Sequence, residues 1–79
     1  MSPVSQGVVN AAFNQAVKRH AEGDLGKAMN ILQFLTILAP TDAGVWFALA
    51  RCHDDAGEPE VAERLRWLGR SLAEAGAGP

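Results

Sequence analysis

The sequence predicts an all-α fold: four antiparallel helices arranged as two helix–turn–helix units. Three observations carry that prediction. Apolar residues recur at helical spacing in four segments parted by short breaks. No stretch alternates β-branched or aromatic residues with polar ones between hairpin turns, so no strand pattern competes. The chain also resembles itself when shifted along its own length, as set out below.

The first helix is expected over about Gln6–Glu22, where Val9, Ala12, Phe13, Ala16, Val17 and His20 recur at steps of three and four. Gly23 stops it in a left-handed cap, and Asp24 is placed to cap the helix that follows. That second helix covers about Leu25–Ala39 and ends before Pro40, because the residue preceding proline is pushed out of the α region. Thr41 or Asp42 caps the third helix, about Asp42–Ala56, with Val45, Trp46, Leu49 and either Cys52 or His53 on its inner side. Gly57 closes that helix, and Pro59 suits a first helical position, where its missing N–H goes unused. The fourth helix runs to about Ala75 on a predicted inner stripe of Val61, Leu65, Leu68 and Leu72, and residues 76–79 are expected to be a flexible tail.

The chain has 79 residues, 48% of them hydrophobic, with seven Lys/Arg against nine Asp/Glu. This is one small domain, too short for a dinucleotide-binding fold or an α/β barrel. Its slight negative charge argues against a nucleic-acid partner. Cys52 is the only cysteine, so no disulfide forms within the chain, and a cytoplasmic home fits. No basic, apolar leader opens the chain, and Ile31–Pro40, interrupted by Gln33 and Thr36, is too short to insert into a membrane.

An offset of 34 residues brings Phe13 onto Phe47, Ala16 onto Ala50, Gly23 onto Gly57 and Asp24 onto Glu58. It also brings Ala28 onto Ala62, Ile31 onto Leu65, Phe34 onto Leu68 and Leu38 onto Leu72. A helix–turn–helix period of this length marks the tetratricopeptide repeat. Gly23-Asp24-Leu25-Gly26-Lys27-Ala28 with Leu32, Leu35 and Pro40 resembles the second half of that repeat. Trp46-Phe47-Ala48-Leu49-Ala50-Arg51-Cys52-His53 with Gly57 resembles its first half. The first repeat spans about residues 9–42 and the second about 43–75. The outer ends depart from the pattern, with Ala12, Gln15 and Arg19 in the first repeat and Arg66, Gly69 and Glu74 in the second.

The resemblance implies a protein-binding module with no catalytic site and no cofactor. It places a partner groove on the first helix of each repeat, at Asn10, Phe13, Asn14, Val17 and His20 and at Gly44, Phe47, Ala48, Arg51 and Asp54. Phe13, Asn14, Val17, Phe47 and Arg51 are the leading candidates, and the expected ligand is an apolar segment of a protein or peptide. Phe13 and Phe47 also admit a simpler role, packing between helices. The second helix is apolar nearly all round, and the resemblance puts Phe34 and Ile37 on the convex side, where the family usually carries charge. Phe34, Ile37, Trp67 and Leu68 are therefore a candidate partner or homodimer surface, unless the fourth helix turns back to cover them.

Within the family, Gln33–Asp42 and Trp46–Cys52 look like the small chaperones of bacterial type III secretion. That likeness implies a bacterial cytoplasmic protein shielding an apolar export subunit. Those chaperones carry three repeats where this chain has two, which suits a shorter co-chaperone working beside a second small protein. A self-assembling helical scaffold is the alternative.

Other chemistry is set aside. His53, Asp54 and Asp55 point about 100° apart on a helix and cannot converge on a metal, so the two aspartates are read as a solvated helix end. Cys52 lacks the further ligands a zinc site needs. Arg64, Arg66 and Arg70 with Trp67 form a modest basic patch read as ordinary solvated surface.

Overall fold

The computed structural model describes residues 5–76. Four helices follow in order: α1 (Gln6–Ala21), α2 (Leu25–Leu38), α3 (Ala43–Asp55) and α4 (Pro59–Gly76). Each lies within a residue or two of its expected bounds. Helix α4 includes Gly76, read from the sequence as the first tail residue, and residues 77–79 lie outside the described span.

The turns inside both hairpins are built alike. Gly23 and Gly57 adopt φ of 82° and 78°, a region only glycine enters without strain. After Gly23, the N–H of Asp24 bonds to Arg19 O and that of Gly23 to His20 O; after Gly57, Glu58 bonds to His53 O and Gly57 to Asp54 O. This paired pattern satisfies carbonyls that a helix end would otherwise leave without partners. The Asp24 carboxylate accepts from Lys27 N at 3.1 Å, and Asp42, rather than Thr41, caps α3 by accepting from Gly44 N at 3.0 Å. Ser5 caps α1 in the same way through Gly7 N.

Helices pack in sequence, α1 on α2, α2 on α3 and α3 on α4, with α1 also touching α3. The main core joins Val9 and Ala16 of α1, Ala28, Leu32 and Leu35 of α2, and Val45, Leu49 and Cys52 of α3. Ala50 and Ala62 are fully buried apart from that cluster, in the region where α3 meets α4. Trp46, read as an inner residue, is half-buried, and its indole Nε1 donates to Pro40 O at 2.9 Å, pinning the α2–α3 loop to α3.

The expected inner stripe of α4 is corrected. Val61 and Leu68 are 40% and 37% exposed, the buried residues are Ala62 and Gly69, and Leu65 and Leu72 of the expected stripe are partly buried beside them. The reason is close approach. A Cβ added at Gly69 would stand 2.8 Å from Phe47 Cε1, so the phenyl ring occupies the space a side chain would need. Small residues therefore choose the face that α4 turns to α3, and the larger Val61 and Leu68 are rotated outward. No helix among the described residues is long and apolar enough to cross a membrane.

Candidate functional site

The helices α1 and α3 are equivalent in the repeat and run side by side along one surface. A cavity of about 300 Å³ opens between them. Phe13, Ala16 and Val17 form one wall, Phe47 and Ala48 the other, with Leu32 and Cys52 beneath and Arg51 and His20 also at the lining.

Four of the five leading groove residues, Phe13, Val17, Phe47 and Arg51, are thus brought together, and Asn14 is not. Repeat equivalence explains the exception. Asn14 holds the place in α1 that Ala48 holds in α3, and Ala48 faces the cavity because α1 stands across from it. No described helix stands on the corresponding side of α1, so Asn14 faces solvent. Asn10, equivalent to Gly44, is exposed for the same reason.

Phe47 serves both roles considered for it. Its ring rests on Gly69 and also lines the cavity. Gly69 stood out in the sequence only as a departure from the repeat pattern; its use is to leave room for that ring against α4.

The charges around the groove are paired across helices. Asp54 and Asp55 are the exposed end of α3, as read from the sequence, and each also holds a partner there. The side chain of Arg66 donates to Asp54, tying α4 to α3, and His20 Nε2 donates to Asp55, tying α1 to α3 beside the cavity. His53 Nδ1 donates to Glu58 at 2.9 Å, so the three consecutive residues reach three separate partners. The arginine patch is likewise engaged in pairs: Arg66 and Arg70 both bond Glu63, the latter at 3.2 Å. These bonds hold the Glu63 carboxyl below its ordinary range, the one from Arg70 most strongly, and the Asp54 bond raises Arg66. Arg51, by contrast, has no ion-pair partner among the described residues and stands exposed at the cavity. Beneath it Cys52 is buried, and burial, reinforced by Asp55, pushes its thiol up. The site is therefore an apolar trough with one free cation, and it holds no nucleophile paired with a base.

A family model described as tetratricopeptide repeat matches residues 19–65, more than half of the chain. The chain belongs to the tetratricopeptide repeat family. The matched span runs from the end of α1 to the middle of α4 and is centred on the α2–α3 seam, where the repeat pattern is strongest. Tetratricopeptide repeats generally mediate protein–protein interactions. Comparison with curated proteins and with solved structures gives no match.

On the far side of this repeat pair, Phe34, Ile37 and Trp67 are 58%, 75% and 61% exposed, and Leu68 lies at the edge of exposure. The fourth helix does not turn back over α2. It packs against α3 alone among the helices, which removes that reading of Phe34 and Ile37.

Proposed function

We propose that this repeat pair is a non-catalytic adaptor or chaperone that holds an apolar segment of a partner protein in the α1/α3 groove. The segment places a carboxylate on Arg51. One observation carries this reading: the groove walls are apolar and, of the two basic residues lining it among the described residues, His20 is held by Asp55 and Arg51 is left free. A large apolar side chain leaving water for such a trough gains roughly 1.5–3 kcal/mol. A charge-assisted hydrogen bond to guanidinium adds about 1.5–3 kcal/mol and sets direction.

Fluorescence anisotropy tests it with three labelled hexapeptides: two leucines beside a glutamate, the same with glutamine, and the glutamate peptide with serines for leucines. Wild type is expected to prefer the first. Val17→Glu, at an exposed groove residue, is expected to abolish binding with helix content unchanged. Arg51→Gln is expected to weaken the glutamate peptide about tenfold and to equalise it with the glutamine peptide, matching one lost charged bond. Equal binding of all three peptides, or indifference to Val17→Glu, ends the proposal.

The type III secretion setting, and with it a bacterial cytoplasmic location, rests on the local phrases Gln33–Asp42 and Trp46–Cys52. Co-purification of an export subunit from the native host, lost in Val17→Glu, is the result that supports it.

A further inference from the structure

We infer that the exposed face of α2 is an isologous dimer interface, its partner a second copy of the same helix. Along α2 the residues Lys27, Asn30, Phe34 and Ile37 are all exposed, at steps of three, four and three. That spacing is the seam of a two-helix coiled coil, in which one polar residue, here Asn30, fixes the register. Apart from Lys27, which is engaged by Asp24 at 3.6 Å, the stripe and the adjoining exposed Gln33 are uncharged. Such a face offers no charge for a charged partner to pair with. Placed against itself across a two-fold axis it brings together apolar with apolar and amide with amide, with no like-charge contact at the centre. In this parallel arrangement the two Lys27 side chains meet only at the first turn, away from the centre, each held by its own Asp24.

The two ends of the repeat pair do not offer a second apolar seam. Stacking end to end would set α4 against α1. Where α3 presents Val45, Leu49 and Cys52 to the core, α1 has Ala11, Gln15 and Lys18 at the equivalent positions, all exposed. Where α2 has Leu32, α4 has Arg66, tied to Glu63 and Asp54. Both ends are polar, so copies are not expected to stack end to end. Phe34 sits about 200° around the helix from Leu32, which lies beneath the groove, so a dimer leaves both grooves open.

Two 14-residue helices, each about 21 Å long, bury an area at the low end for specific interfaces, so the dimer forms and dissociates with concentration. Sedimentation equilibrium of the full chain under reducing conditions tests this, over roughly a hundredfold concentration range reaching about 0.5 mM. The expected result is a monomer–dimer equilibrium. Ile37→Glu is expected to raise its dissociation constant about thirtyfold or more, the range of an interface hot spot. The milder Ile37→Ser should move it the same way, and Trp67→Glu on α4 should leave it unchanged. Circular dichroism confirms that each variant keeps its helices. A monomer at every concentration, a dimer indifferent to both Ile37 variants, a dimer lost in Trp67→Glu, or growth beyond two copies overturns the inference.

Discussion

The second helices of the two repeats hold the same register and have opposite surroundings. Helix α2 lies between α1 and α3 and buries Ala28, Leu32 and Leu35. Helix α4 has only α3 beside it and carries Ala62, Arg66 and Gly69 at the same three places. Where a helix has neighbours on two sides, large apolar side chains fill the gap. Where it has one, a small residue gives close contact and a charged residue covers the open side. The end of a repeat stack is thus a substitution pattern, and it is visible position by position.

Truncation at the equivalent pair Leu32 and Arg66 breaks the comparison if it is wrong, and has the largest expected effect. Leu32→Ala opens a cavity in the main core and is expected to cost about 2–5 kcal/mol in urea unfolding. Arg66→Ala removes solvent-facing ion pairs and is expected to cost only a small fraction of that. Similar losses at the two sites would mean that α4 is as tightly enclosed as α2.

Gly69→Ala sharpens the comparison at intermediate size. The new methyl meets the Phe47 ring at 2.8 Å and must displace it. Overpacking costs about 1–3 kcal/mol, and alanine returns up to about 1 kcal/mol of helix propensity. The expected net loss is about 1 kcal/mol, smaller than at Leu32. The same ring lines the cavity, so its displacement should weaken binding of the leucine–glutamate peptide as well. Unchanged peptide affinity would show that the ring and the groove are independent.

Much of this was legible in the sequence because it depends on local chemistry. Gly23 and Gly57 end helices through their own backbone freedom, and Asp24 and Asp42 cap with their own carboxylates. That Phe13, Val17, Phe47 and Arg51 share one cavity was legible through the repeat, which fixes which face of α1 and α3 looks inward. The orientation of α4 was not, because counting Val61 and Leu68 as core assumes that size decides burial. Here the smallness of Ala62 and Gly69 decides it, and that depends on a ring 22 positions earlier in the chain, Phe47. The pairings of Asp54 and Asp55 were hidden for a related reason: their partners, Arg66 and His20, lie on other helices. The repeat pattern assigns the position of Asn14 to the groove, whereas Asn14 lies away from the cavity because no described helix stands on that side of α1.

The smallest expected effect lies at the open end of the stack, and acid reveals it. The bonds from Arg70 and Arg66 lower the Glu63 carboxyl, so the folded chain binds that proton less readily than the unfolded chain does. The stabilisation is therefore present above the ordinary glutamate range and is lost as pH falls toward the lowered value. Melting curves between about pH 5 and pH 3 should show a drop in Tm that Glu63→Gln makes shallower. Added salt should reduce the difference between the two proteins, because these pairs face water. If Glu63→Gln and wild type fall together, the ion pairs contribute nothing to closing this end. The polarity of α4 would then act only by withholding the apolar surface on which another helix could pack, which is the part of the comparison that Arg66→Ala already isolates.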